Sequence, residues 1–579
     1  MKLIDSLIMA NADSLKVRYK KYFSKSPSMT RKADIAVELE KGLMAPMVLK
    51  NYWENMPELE KILIQEVIYN FQGMIDAIRF KAKYGAFPGK PPSKSLYGYE
   101  KEINAYQVFF YPQERYGQSL IHQTLIEQLK QFVPAPKAEK IATVDFSEPL
   151  EEHYTMHNRE QSAFSDLNTM LTSLNNKELK VSDKTGVPTA GALKKLSAKL
   201  SEYYSASDLD EVKGEEHILA YGWIRLLANS RFAKAQASLI PSKQQAKSTA
   251  ETIKSIWDDW CYKSKDEEFN RIDVIKGQKG KAKRYFSDAV DRRLNVIEAL
   301  LECEVNQWVS FDEFSRFILA TGRDIQVTDA PEHLYIYDAH YGGLYNGGWD
   351  IIEESYLKCL LVEYMATLGV IDVVMYDLSQ ISDSNDDYWG TVDLDCLHRY
   401  QGLRYFKLTE LGAYVLGKMP SYDGSNIPQS KTSLTVKRRG KITCNSALEP
   451  WEVQFLSLYA KQIDDDVWQL ERKNIVQALQ AGSDIKELTE FLLERESQPF
   501  LPEDCEQLFQ QLAKNIDGVK LQSEAIIFKC KNKEIFELIT KDKALSKLCQ
   551  PFEALQLIIP KNKESTFKSK LNEIGVGYL

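Results

Sequence analysis

The chain has 579 residues, 44% of them hydrophobic and 27% charged, and a formal net charge of −8. That length predicts about three to five domains, each able to bury a core, and the acidic balance argues against a protein coated in nucleic acid while leaving room for local basic patches. Eight scattered cysteines with no CxxC spacing predict a reducing cytoplasm, and no stretch approaches the ~20 apolar residues of a membrane span.

Residues 1–45 open with a short apolar run broken by Asn11, Asp13 and Ser14, which is not expected to act as a secretion signal. A basic helix follows, with Lys16, Arg18, Lys20, Lys21 and Lys25 among Tyr19, Tyr22 and Phe23, and Pro27 ends it. Thr30 is the expected N-cap of a second helix through Arg31-Lys32-Ala33-Asp34-Ile35. Two short helices joined by a turn ending in Arg-Lys-x-Asp-Ile resemble a SAP-type DNA-binding motif; the alternative is a basic, solvated helical hairpin. Residues 46–135 read as a helical domain. It comprises Pro46–Trp53 and then Pro57–Tyr84, where Leu59, Ile62, Leu63, Val67 and Phe71 keep a helical period. A Pro-rich loop follows Gly85, and Val133-Pro134-Ala135-Pro136-Lys137 marks a domain edge.

Residues 136–245 predict a winged-helix-like module: a helix over Phe164–Leu174, a strand over Glu178–Ser182, a turn at Asp183–Gly186 and a helix over Ala192–Tyr203. The last helix buries Leu193, Leu196 and Leu200 and turns Lys194, Lys195 and Lys199 outward. Lys194 and Lys195 are therefore candidate phosphate contacts, although a solvated lysine face needs no ligand. His217–Phe232 is an apolar helix, and Trp257 and Trp260, three apart, read as core.

Residues 246–420 predict a central winged-helix domain. Its most basic stretch carries Lys276, Lys279, Lys281, Lys283, Arg284, Arg292 and Arg293 against Asp288 and Asp291. Lys and Arg neutralise phosphate, and Gly277 and Gly280 would let the backbone come close to one. It is not a nucleotide-binding loop, because Ile275 and Ala282 stand where GxxxxGK[ST] needs Gly and a hydroxyl. The stretch is expected either to hold nucleic-acid phosphates or to be a solvated basic loop. Helices over Val296–Cys303 and Ser310–Thr321 follow, the second with Ser310 and Glu313 as a capping box, and then a Gly-rich aromatic excursion over Tyr335–Trp349.

Next come a helix over Trp349–Leu368, a strand over Val370–Tyr376, an Asp-rich wing over Asp377–Gly402 and a returning strand over Arg404–Leu408, in winged-helix order. Asp350, Glu353, Glu354 and Glu363 against Lys358 would make that helix repel a duplex. It is expected to be structural or protein-facing; the alternative is DNA reading through His398, Arg399 and Arg404 in the wing. The wing's DSNDDYWG fails as a calcium loop, since Tyr388 and Leu394 replace the required Gly and Glu.

Residues 421–450 read as a linker, clearest over Tyr422–Ser433 and followed by Lys437, Arg438, Arg439 and Lys441. Beyond it come Trp468-Gln469-Leu470, Asn474–Gly482, Leu488–Leu493 and Gln498–Pro502. Ala525–Cys530, a helix over Lys533–Thr540, Ala554–Pro560, a last helix and Gly575-Val576 complete the chain. This succession over residues 451–579 resembles the XPB-type helicase-associated domain of bacterial proteins. The resemblance implies an α/β domain that accompanies an XPB-like ATPase, fused to it or as a separate subunit. Winged modules followed by such a domain are also similar in layout to the winged-helix and clutch subunit of TFIIH, which binds and stimulates its XPB motor; this is analogy of architecture. With no Walker A loop or helicase motif set in the chain, the motor would be another polypeptide.

The expected fold is thus mainly α with small β: tandem winged-helix modules plus a C-terminal α/β helicase-associated domain. The expected function is a non-enzymatic, cytoplasmic, DNA-binding and scaffolding accessory subunit of a helicase or nuclease system, in genome maintenance or phage defence. It would touch the phosphate backbone through Lys276, Lys279, Lys281, Lys283, Arg284, Arg292, Arg293, Lys194, Lys195, Lys437, Arg438 and Arg439, without cofactor or metal. The alternative is a sequence-specific winged-helix transcription regulator. A nuclease would need carboxylates converging on strands, whereas Asp208-Leu209-Asp210-Glu211-Val212-Lys213 lies in a polar linker and none of the seven histidines has ligand spacing.

Overall fold

The computed structural model describes residues 2–89, 102–112, 119–146, 152–204, 217–242, 249–280, 282–336, 342–344, 348–381, 397–422, 434–445, 448, 450–464, 466–481, 483–496, 500–516, 518 and 524–578. About 51% of the chain is helical and 15% is strand in small sheets, so the fold is mainly α with some β. Several predicted features lie outside the described residues: most of the Pro-rich loop, Asp208–Lys213, Lys281, the acidic loop at 383–390 and the linker at 423–433.

A first cluster of buried side chains runs from Leu3 to Val133 and spans both 1–45 and 46–135. It is built by α1 (Leu3–Met9), α2 (Ala12–Phe23), α3 (Lys32–Leu43), α4 (Pro46–Glu54), α5 (Glu58–Tyr69), α6 (Ala77–Tyr84), the hairpin β1 (Phe110–Pro112) and β2 (Ser119–Ile121), and α7 (Gln123–Leu129). Arg31, not Thr30, occupies the N-cap of α3, without a side-chain cap. In α2 the tyrosines face inward, and Arg18 turns in with them to lie 5.5 Å over the Tyr111 ring, leaving Lys20, Lys21 and Lys25 exposed. The single helix expected over Pro57–Tyr84 is two. Gln72 and Gly73 take positive φ, a conformation that ends a helix, and Asp76 caps α6 through the Arg79 amide at 2.9 Å.

A second, larger core runs from Ala163 to Val415. Its elements are β3 (Tyr154–His157), α8 (Arg159–Asn175), α9 (Ala190–Ser197), α10 (Ile218–Ala228), the hairpin β4 (Ala233–Ala235) and β5 (Leu239–Pro241), α11 (Thr249–Lys263), β6 (Ile275–Lys276), α12 (Ala289–Leu300), β7 (Trp308–Ser310), α13 (Phe311–Thr321), β8 (Tyr335–Ile336), α14 (Glu353–Cys359), β9 (Ile371–Tyr376), β10 (Leu403–Leu408) and α15 (Glu410–Val415). Four strands form an antiparallel sheet in the order β3-β9-β10-β7. Residues 178–182 make only isolated bridges, Lys180 to Ser238 and Val181 to Pro188, rather than a strand. Ser310 caps α13 through the Glu313 amide, but Glu313 does not reach back; its carboxylate takes the Ala142 amide and Arg316 instead. The helix expected from Trp349 is regular from Glu353 and continues as a π-helix over Leu360–Met365, every residue of which is buried. It is therefore interior. Gly222 of α10 crosses it so closely that a Cβ there would collide with the Glu363 carbonyl.

The third core, from Leu434 to Phe509, begins inside the expected linker. It holds β11 (Leu434–Lys437), β12 (Lys441–Cys444), α16 (Pro450–Tyr459), β13 (Ala460–Asp464), β14 (Val467–Leu470), α17 (Arg472–Ala481), α18 (Ile485–Arg495) and α19 (Glu503–Asn515), with an antiparallel sheet ordered β11-β12-β14-β13. The fourth, from Cys530 to Leu571, comprises β15 (Ala525–Lys529), α20 (Lys533–Lys541), β16 (Gln550–Pro551), β17 (Gln556–Pro560) and α21 (Glu564–Glu573). Cores one and two are joined by reciprocal caps. Arg79 of α6 donates to the carbonyls of Ala320 and Thr321 that end α13, and Arg316 of α13 donates to the Ala82 carbonyl near the end of α6. Each guanidinium thus meets the negative end of the other helix.

Glu353, 7% exposed, accepts the Val327 amide at 3.1 Å, and burial pushes its carboxyl up to about 7 from an ordinary 4.5. The folded state therefore holds this proton longer than the unfolded chain. Its stabilising contribution is full below about pH 4.5 and is lost as the pH climbs to about 7. Glu353→Gln should accordingly gain on the wild type, in calorimetric Tm, between about pH 5 and about pH 7.5. A Tm gap that does not change with pH would contradict this.

Candidate nucleic-acid interface

The basic stretch beginning at Lys276 divides in two. Lys276, Lys279, Lys283 and Arg284 are exposed. Between them Gln278 turns inward and donates to the carbonyls of Ile272 (2.9 Å) and Ile275 (2.8 Å), which ties the loop to the core beneath it. Gly277 is needed for a different reason from the one expected. It has φ +84°, and a Cβ there would collide with the His333 carbonyl, so its close approach is to the chain's own backbone. Gly280, φ +77°, has open space around it.

Arg292 and Arg293, expected as phosphate contacts, are core residues, 1% and 0% exposed. Arg292 pairs with Glu267 and donates to the Ser287 carbonyl at 2.7 Å. Arg293 pairs with Glu268 at 2.7 Å and donates to the carbonyls of Trp260, Ser264 and Asp266 at 2.8–2.9 Å. Their donors are directed into the protein, and no phosphate can reach them. The helical period explains the placement: Arg292 and Arg293 share the buried face of α12 with Val296, Ile297 and Leu300. The cations expected to read DNA ahead of and within β10 are likewise withdrawn. Arg399 is 3% exposed and pairs with Asp273 at 2.7 Å. Burial holds the His398 imidazole well below its ordinary value, so it is neutral. Arg404 is half-buried and donates to the Gln401 carbonyl at 2.7 Å.

On α9, Leu193 and Leu196 face inward and Lys194 and Lys195 outward, while Lys199 is held 2.9 Å from Glu178. In the third core, Lys437, Arg438, Arg439 and Lys441 form the end of the β11–β12 hairpin. Arg439 (φ 64°) and Gly440 (φ 72°) close it in the left-handed conformation such turns require. The Arg439 amide donates to Asp504 of α19, and all four cationic side chains are exposed. Register brings a further lysine into line: Lys441 is opposite Gln469 of β14, and Gln469 is opposite Lys461 of β13. Nothing in the sequence singles out Lys461, which stands shortly before a run of aspartates, and only strand pairing reveals its position.

Among the described residues no group of three His, Cys, Asp or Glu side chains is placed to hold a metal ion, and no helix is long and apolar enough to cross a membrane. No family model matches the chain, and no curated protein matches it.

The two kinds of cation should separate in unfolding experiments. Arg293→Ala strands the Glu268 charge inside the core and should cost about 3–5 kcal/mol. Lys279→Ala and Lys283→Ala, at exposed positions, should stay within about 0.5 kcal/mol of wild type. Urea denaturation measures both, and wild-type stability in Arg293→Ala would refute its structural assignment.

Proposed function

We propose that this protein is a non-enzymatic nucleic-acid-binding and scaffolding subunit that holds DNA by its phosphates with low sequence specificity, while a motor or nuclease in trans performs the chemistry. The observation that carries this reading is the exposure of Lys276, Lys279, Lys283 and Arg284 in one turn and of Lys437, Arg438, Arg439 and Lys441 in another, on a chain whose net charge is −8. A polyanion repelled by most of such a surface is confined to the places where cations cluster. Contacts of this kind position a duplex and carry no sequence information.

The second core supports a winged-helix assignment. With β8 set aside, which pairs with β6, the elements α12, β7, α13, α14, β9 and β10 come in winged-helix order, and β10 pairs with both β9 and β7. The helix at the recognition position, α14, is buried, which favours a scaffolding use of the module over base reading and so favours an accessory subunit over a site-specific regulator. The third and fourth cores correspond to the region that resembles a helicase-associated domain, and there the reading assigns the contact with an XPB-like ATPase.

Replacing Lys279, Lys281, Lys283 and Arg284 together by Ala should weaken DNA binding equally at all sequences and flatten its salt dependence by roughly 0.9 for each phosphate no longer neutralised. Binding that does not change would remove this turn from the interface. A nuclease-treated pull-down of the full-length protein from its own cell extract, read by mass spectrometry, should recover an ATPase of the helicase class. Without nuclease, recovery of DNA fragments of a single sequence would favour the regulator instead.

A further inference from the structure

The sheet of the third core is basic at one end and acidic at the other. Lys437 of β11 is opposite Lys441 of β12, Lys441 is opposite Gln469 of β14, and Gln469 is opposite Lys461 of β13. Residues directly opposite in antiparallel strands share a face, so three lysines and a glutamine form one row across all four strands. The adjacent row of Val436, Ile442 and Trp468 points the other way and is buried, which places the lysine row on the outer face, where all three lysines are exposed. At about 4.8 Å per strand the row spans roughly 14 Å. Arg438 and Arg439 extend it at the β11–β12 turn, and β14 leaves the same end into exposed Arg472 and Lys473. The far end, at the β13–β14 turn, carries exposed Asp464 and Asp466. None of the three lysines is in an ion pair with a described residue. The Asp504 carboxylate near the turn is directed to the Arg439 backbone amide. Lys437 and Lys441 directly opposite each other repel, a cost to the ladder that a bound polyanion would remove.

Resting on the nucleic-acid reading above, we infer that this basic end is a binding site for the backbone of duplex DNA. One strand's phosphates run along the lysine row, and the two arginines reach from the turn. Each of the three lysines then neutralises one phosphate. The aspartates at the far end repel the duplex and fix which edge of the sheet it follows. Duplex is favoured over single strand because, among the described residues of the sheet strands, Thr435, Thr443, Ile463 and Val467 are the neighbours of the lysines and no ring lies on the outer face for a base to stack on, and stacking platforms are how single strands are held.

The test is a titration of the full-length chain with a labelled random duplex of about 30 base pairs over a salt series, beside Lys437→Ala/Lys441→Ala/Lys461→Ala. The triple variant should lose roughly 2.7 from the slope of log K against log salt, three phosphates at 0.9 each. The corresponding triple Arg variant should keep the wild-type slope and melt like the wild type, and the Ala variant should melt no lower, because the positions are exposed and the Lys437–Lys441 repulsion is removed. Three outcomes overturn the site: an unchanged slope, tighter wild-type binding to a single strand of the same length, or a loss seen only on anionic phosphatidylserine vesicles. If the wild type binds no duplex at all, the nucleic-acid reading falls too; if it binds and the triple variant matches it, only this site falls.

Discussion

The segment from Ser264 to Asp273 fixes how the second core is put together, because five of its charged side chains pair with groups on four other parts of the chain. Asp266 pairs with Arg225 of α10, Glu267 and Glu268 with Arg292 and Arg293 of α12, Arg271 with Glu363 of the π-helix, and Asp273 with Arg399 ahead of β10. The Trp260 indole of α11 adds a hydrogen bond of 3.0 Å to Glu268. Charges as buried as Arg293, Glu268 and Glu363 are tolerated only with a partner in good geometry, and a wrong partner leaves two charges stranded. Such pairs add little net stability over an apolar replacement. Here they act on arrangement: each helix can dock only where its guanidinium meets its own carboxylate.

The same segment explains why α14 and the π-helix that continues it lie in the interior. Arg271 takes both oxygens of Glu363 at 2.7 and 2.8 Å and lies over the Tyr221 ring at 3.5 Å, and the Tyr400 hydroxyl donates to the same carboxylate at 2.5 Å. Glu363, which the sequence presents as a charge that would repel DNA, is instead the interior end of an ion pair. Two of its four acids, Glu353 and Glu363, are inside rather than displayed at the surface, whereas Asp350 is exposed.

What could be read from sequence was what is decided locally. The inward leucines of α9, the tryptophan pair of α11 and the two strands around the wing follow from period and from the stop at Gly369, and the structure has them where expected. What could not be read depended on partners elsewhere in the chain. Arg292 and Arg293 read as surface charge because their partners, Glu267 and Glu268, stand 25 residues earlier, beyond the reach of any local pattern. The β11–β12 hairpin disappears into the expected linker, although Leu434-x-Val436 and Ile442-x-Cys444 alternate on either side of Arg439-Gly440, a local hairpin signal. Lys461 gives no signal at all, since its neighbours in space are set by the pairing of β13 with β14.

The distribution of arginine and lysine follows from how each is hydrated. The buried cations among the described residues are arginines: Arg159, Arg225, Arg292, Arg293, Arg399 and Arg495. A guanidinium is weakly hydrated and its planar fork can be satisfied by a carboxylate and several carbonyls at once, as Arg293 is. A lysine ammonium is a compact, strongly hydrated charge that stays at the surface unless paired, so Lys276, Lys279 and Lys283 and the lysines of the third-core sheet row are left facing water. Exposed Arg284, Arg438 and Arg439 differ from the buried set by element, not by residue type: they sit in turns, with no apolar helix face to carry them inward. Six arginines are thus held inside, while exposed cations gather, among other places, at Lys276, Lys279, Lys283 and Arg284 and at Lys437, Arg438, Arg439 and Lys441, where a polyanion would meet a locally positive field on this acidic chain.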